Sequence, residues 1–235
     1  MPIRLYLSQA NQGHNGGPNG YTEKAGMDAI SKLVAAECAK DKRFITKRNV
    51  AGSRVDTASE NGLEANRWGA DLYVALHSNA GGAGARGTFG FYHSKASFGY
   101  KVARGIVNRL SPISPGGGKV LIEKPGFIEL HTPRAPAALI EIEAHDWAPG
   151  VKFLTGEKAR IAQAIYAGIC DAYGYSPVLN KPKPKPAPKL DYRPLKRAAV
   201  KVAGVLGIKH PGVGVSSNKK GEPFAKLLCD IADHK

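Results

Sequence analysis

The chain has 235 residues, 43% of them hydrophobic, which suits one domain with a proper core plus a small addition and excludes a largely disordered protein. No apolar run approaches the ~18 residues that span a bilayer. The net charge of +15 is uneven: residues 181–235 hold 13 Lys/Arg against 4 Asp/Glu, a field that favours a polyanionic partner such as nucleic acid, anionic lipid or acidic wall polymers.

Met1 to Leu7 is basic and apolar but breaks at Ser8. It is too short for a secretory signal and reads as a first strand, so the protein is expected to be made in the cytoplasm without an export signal of its own. A Gly/Asn-rich loop follows. Residues 23–40 have a helical period, with Met27, Ile30, Leu33, Val34 and Cys38 on one stripe. Residues 43–48 read as a strand and 56–69 as a helix capped by Asp56 or Thr57. Residues 71–77 form a buried strand, 87–93 another, and 96–110 an amphipathic helix. Residues 111–126, rich in Pro and Gly, read as a loop. Residues 137–143 read as a strand and 155–173 as a helix. This alternation predicts an α/β fold, a twisted mixed sheet flanked by helices, over residues 1–178. Cys38, Cys170 and Cys229 show no CxxC spacing and fall on apolar helix sides, as buried free thiols do.

Alternating Lys and Pro from Lys181 to Lys189 favour an extended, stiff spacer, so residues 179–189 read as a linker. Residues 190–235 read as a small basic helical module, with apolar registers at 194–206 and 222–233. Its only aromatics are Tyr192 and Phe224, too few for a sugar-binding platform or a base-stacking surface. A wall polymer or other anionic surface is its expected partner.

Three polar residues stand out by position. His14 lies in the loop after the first strand, Glu23 opens the next helix, and His77 ends the strand at 71–77. Functional groups of α/β sheets collect at the C-terminal ends of strands. Two imidazoles and one carboxylate suit zinc and leave a fourth position open. The spacing fits solvated loop side chains equally well. Glycines at 13, 16, 17 and 20 bracket His14 and allow tight turns near a ligand. In Ala138-Leu139-Ile140-Glu141-Ile142-Glu143, strand alternation puts Glu141 and Glu143 on one face. Such acids are either the solvated face of an edge strand or functional, for instance a general base near a metal-bound water.

Gly13-His14-Asn15-Gly16-Gly17, Thr22-Glu23-Lys24, Ala75-Leu76-His77-Ser78-Asn79-Ala80 and Pro136-Ala137-Ala138-Leu139-Ile140-Glu141 together resemble the motifs of the zinc N-acetylmuramoyl-L-alanine amidases of the Amidase_3 type, many of which are bacteriophage endolysins or cell-wall remodelling enzymes. The resemblance covers roughly residues 1–175, in the family's order. It implies one zinc ion held by His14, Glu23 and His77, Glu141 as the catalytic carboxylate, and peptidoglycan as substrate, cut at the amide between N-acetylmuramic acid and L-alanine. An endolysin would reach the wall through a membrane opened by a holin-type partner. The chain departs from the pattern at Glu143-Ala144, where the family usually has Gly then Phe, so Glu143 competes with Glu141 for the catalytic role. Glu143, His131, Arg134 and Asn79 are candidates to order a ligand from behind or to line a substrate groove. His93 and His145 read most simply as exposed loop histidines. Two other readings stay open from sequence: a zinc peptidase of peptidoglycan cross-links, which would use the same residues, and a non-enzymatic basic protein of the envelope or of nucleic acid.

Overall fold

Nearly continuous apolar runs mark strands covered on both faces, and two of them form the centre of the sheet. They are β5 (Leu72–Asn79) and β8 (Ala137–Ala144). The computed structural model describes residues 1–12, 14–49 and 57–178. The linker expected at 179–189, the helical module expected at 190–235 and Cys229 lie outside the described residues.

The remaining elements are β1 (Ile3–Gln9), a hairpin of β2 (Gly16–Gly17) and β3 (Tyr21–Thr22), α1 (Glu23–Cys38), β4 (Phe44–Arg48), α2 (Ala58–Trp68), β6 (Thr88–Tyr92), α3 (Phe98–Leu110), β7 (Lys119–Glu123), α4 (Ile128–His131), α5 (Ala148–Gly156) and α6 (Lys158–Ala172). Six strands form one mixed sheet in the order β4-β1-β5-β8-β6-β7, in which only the β6–β8 pair is antiparallel. The C-terminal ends of β1, β5 and β8 therefore meet along one edge.

Alternation divides the side chains between two cores. Leu5, Leu7, Val74, Leu76, Ile140 and Ile142 pack with residues of α1, α3, α5 and α6. Tyr6, Tyr73, Ala75 and Leu139 face the other way, toward Ala65 of α2 and Leu130 of α4. The α/β fold with a mixed sheet is as the sequence indicates. Cys38 and Cys170 are buried free thiols. Thr57 caps α2 in a reciprocal capping box with Glu60. Among the described residues no helix is long and apolar enough to cross a membrane.

Three elements differ from expectation. The loop at 111–126 contains β7, an edge strand in parallel register with β6 and without a fully buried residue. Its Lys and Glu ends and its Gly-rich approach hide it in the sequence. The helix expected at 155–173 is α6, starting three residues later, and an unexpected helix, α5, precedes it up to Gly156. The third is a register shift. His77 pairs with Glu141, but Asn79 pairs with Ala144, so β8 holds one residue more than β5 over this stretch. Such a bulge re-aims the side chains that follow it.

Beyond the bulge, Glu143 is fully buried. Its carboxylate accepts N–H bonds from Gly87 (2.7 Å), Gly116 (2.9 Å) and Ala144 (2.8 Å), and a short hydrogen bond from the Ser114 hydroxyl. The loops it ties together touch so closely that a Cβ at Gly116 would lie 2.2 Å from the Gly87 nitrogen. Glu143 thus orders two backbone segments; it neither lines a groove nor shares a site with Glu141, because every acceptor direction is already in use. Replacing Glu143 with Leu strands several buried donors, each worth about 1–3 kcal/mol. Urea denaturation of Glu143→Leu is expected to show a loss on the order of 3 kcal/mol; a loss below about 1 kcal/mol would contradict this role.

Candidate active site

The strand ends on the α2/α4 side of the sheet gather an unusual set of charges. His77, near the end of β5, points to this face and lies between two carboxylates. Its Nδ1 is 3.2 Å from Glu23 Oε1, and its Nε2 is 2.8 Å from Glu129 Oε2. Glu141 sits beside His77 in the parallel register of β5 and β8. Glu23 and Glu129 are both buried.

Each group is placed by local structure. Glu23 is the first residue of α1, where the helix N-terminus favours a carboxylate, and Thr22 caps that helix by accepting from the Ala25 N–H. Oε1 of Glu23 also accepts the Ser78 N–H at 2.9 Å, and Oε2 accepts from the Asn15 side-chain amide at 2.7 Å. Glu129 is carried by the single turn of α4. Its Oε1 accepts from the hydroxyls of Ser8 (2.8 Å) and Tyr73 (3.1 Å), and Ser8 in turn accepts from the Asn61 amide at 3.2 Å. Behind Glu23, the Ser78 hydroxyl joins Tyr21 (3.1 Å) and His145 Nδ1 (3.0 Å), and the Tyr21 and His145 rings stack.

Burial and charge act in opposite senses on these groups. Burial pushes the Glu23 carboxyl up, but hydrogen bonds from His77, Asn15 and the Ser78 backbone outweigh it and hold it below the usual carboxylate range. Burial disfavours a charged His77, yet the flanking Glu129 and Glu23 outweigh burial and raise it well above an ordinary imidazole. Glu141 goes the other way: burial first, then the like charges of Glu23 and Glu129, push it up to about 7 despite His77. Its Oε2 is buried and, among the described residues, has no hydrogen-bond partner.

Three carboxylates around one imidazole leave excess negative charge in a desolvated place. A divalent cation fits this cluster in charge and in donor chemistry, with oxygen from Glu23 and nitrogen from His77. Among the described residues, however, no three His, Cys, Asp or Glu side chains already form a metal cage. His14, the third residue expected from the sequence, is not part of this cluster. It is exposed in a turn, one residue before Asn15, whose carbonyl accepts the Glu23 N–H at 2.9 Å. The structure therefore brings Glu23, His77 and Glu141 together and leaves the His14 side chain outside.

The other candidates lie elsewhere. His131, Arg134 and His93 line an open groove of about 300 Å³ at the start of β8, whereas Glu141 lies toward its other end. The Asn79 side chain is spent on its own loop, accepting the Ala80 N–H and donating to the Ala85 carbonyl. His145, read as an exposed loop residue, is buried and bonded to Ser78. Glu129 was not singled out from the sequence; its signal was an acid between the apolar Ile128 and Leu130. A second cavity of about 300 Å³ opens beside His77 and Glu129, with Gln9, Asn11, Gln12 and Asn61 on its walls.

The fold is shared with solved amidases. An N-acetylmuramoyl-L-alanine amidase from Clostridium difficile 630 has a TM-score of 0.65 at 20% identity, with 74% of this chain and 97% of that one covered. AmiC2 of Nostoc punctiforme gives 0.64 at 18% identity, covering 73% and 97%. The catalytic domain of the CD27L endolysin targeting Clostridia difficile gives 0.59 at 17% identity, covering 76% and 99%. At these identities the likeness is one of fold. No curated protein is matched by sequence. The Amidase_3 family model, N-acetylmuramoyl-L-alanine amidase, matches residues 8–171, a span that includes His14, Glu23, His77, Glu129 and Glu141. That match takes in most of the chain, which belongs to the N-acetylmuramoyl-L-alanine amidase family.

Proposed function

We propose that this chain is a zinc-dependent peptidoglycan hydrolase of the endolysin kind. It cleaves the amide between the lactyl group of N-acetylmuramic acid and L-alanine of the stem peptide. The observation that carries this reading is Glu141, a half-buried residue beside His77 in the strand register and within electrostatic reach of Glu23, whose buried Oε2 has no hydrogen-bond partner among the described residues. His14, Glu23 and His77 are the residues that would hold the zinc, His14 turning inward from its exposed position. Bound zinc supplies Lewis acidity toward the scissile carbonyl and lowers the pKa of a water toward about 7.

The chain's own groups perform the proton transfers. Glu141 Oε2 accepts a proton from the attacking water and returns it to the nitrogen of the departing L-alanine. The low-polarity setting that lifts its pKa makes that return favourable. Asn15 and the Ser78 N–H hold the Glu23 carboxylate in one orientation. Gln9, Asn11, Gln12 and Asn61 give the cavity beside His77 polar walls that suit the amides of a stem peptide. The basic residues beyond 180 suit anionic polymers of the wall. In the endolysin reading the enzyme is held in the cytoplasm until a holin-type partner opens the membrane.

Glu141→Gln keeps the shape and removes the base. It is expected to bind zinc with the wild-type stoichiometry while losing at least about two orders of magnitude in turbidity-clearing rate. The wild-type rate rises with pH as Glu141 ionises: burial and the like charges of Glu23 and Glu129, opposed by His77, put that step at about 7, and a bound cation moves it lower. Near-normal lysis by the variant would remove Glu141 from the reaction. The bond is identified by mass spectrometry of digested peptidoglycan. Stem peptides with a free L-alanine amine, formed in buffer and absent with chelator, are expected. Stem peptides cut internally but still attached to sugar would make the enzyme a peptidase instead.

A further inference from the structure

The proposed ligand set of His14, Glu23 and His77 does not account for Glu129. This carboxylate is buried, stands on a four-residue helix, and spends Oε2 on the far nitrogen of His77 at 2.8 Å. An acid placed in a core without a task is destabilising even after partial pairing. Here the fold supplies three side chains to keep it in place. Ser8 of β1 and Tyr73 of β5 donate hydroxyls to its Oε1, and Asn61 of α2 donates to Ser8. Two neighbouring strands, β1 and β5, thus converge on one oxygen and leave the other aimed at His77. Ser8, Asn61 and Glu129 are all buried, so this support is sheltered from water.

An imidazole can bind a metal through either nitrogen, and the hydrogen bond made by one nitrogen decides which is free. Nδ1 is the nitrogen on the Glu23 side. We propose that Glu129 is a positioning residue for the metal. By accepting the Nε2–H of His77 it fixes the ring's tautomer and rotation, so that Nδ1 presents its lone pair beside Glu23. This inference rests on His77 being a zinc ligand. Carboxylates that hold a ligating histidine in this way typically contribute about 10–100-fold to metal affinity.

The test uses the full-length protein and zinc alone. Glu129→Leu removes the acceptor. Glu129→Gln retains an oxygen that can accept the Nε2–H but lacks the charge, and it guards against a folding failure of the Leu variant. Zinc affinity is measured by competition with a chromophoric chelator. The protonated nitrogen of His77 is read from ¹⁵N shifts of the zinc-loaded protein. The expected result is a loss of about 10–100-fold in affinity for Glu129→Leu, a smaller loss for Glu129→Gln, and a proton on Nε2 in wild type that is no longer fixed there in Glu129→Leu. Wild-type affinity in both folded variants, with Nε2 still protonated, would overturn the role of Glu129 while leaving the zinc amidase reading intact. A wild-type protein that cleaves the muramoyl amide without binding zinc would overturn both the zinc reading and this inference.

Discussion

Gathering two buried carboxylates and a half-buried third around one imidazole is the constraint on which the rest of this structure turns. Each ionised group taken from water costs several kcal/mol unless charge or hydrogen bonds compensate. His77 compensates Glu23 and Glu129 directly, with one ring nitrogen facing each carboxylate. Glu141 is left over, with an oxygen that has no hydrogen-bond partner among the described residues and a carboxyl that resists ionisation. A protein core does not accumulate such a deficit for stability. It is the setting that a bound cation would relieve, and the one a proton-transferring carboxylate needs.

The fold creates this setting by crossing elements at one sheet edge. Parallel strands bring the ends of β1, β5 and β8 together. Alternation within β5 and β8 then sends His77 and Glu141 to the same face, while the apolar residues between them build the opposite core. The first turn of α1 adds Glu23 at a helix end that favours negative charge. Tyr21, Ser78 and His145 brace the hairpin before α1 against the strand ends. The bulge in β8 separates two acids that look equivalent. Glu141 is kept at the site, and Glu143 is consumed by backbone donors of neighbouring loops.

Much of this was legible from local pattern. The order of elements, the covered strands and the positions of His77 and Glu23 at a strand end and a helix start all follow from periodicity and capping. What escaped the sequence depends on long-range contact. A one-residue bulge is invisible to an alternation rule, which therefore put Glu143 beside Glu141. Glu129 lies on a single helical turn, too short to announce a face, and its partners Ser8, Tyr73 and His77 are 121, 56 and 52 residues away. His145 adjoins a strand end and was read as a loop residue, because nothing local reveals that Ser78 and Tyr21 enclose it. The chemistry of the bond came from family motifs rather than from spacing.

In the proposed function the His77 cluster is a cation site completed by His14. It is tested most directly by diffraction from zinc-loaded crystals at energies on either side of the zinc absorption edge. One anomalous peak is expected within about 2.0–2.2 Å of His77 Nδ1, a Glu23 oxygen and a His14 nitrogen, with His14 drawn in from its exposed turn. A peak away from His77, or none in crystals of an active enzyme, would contradict it.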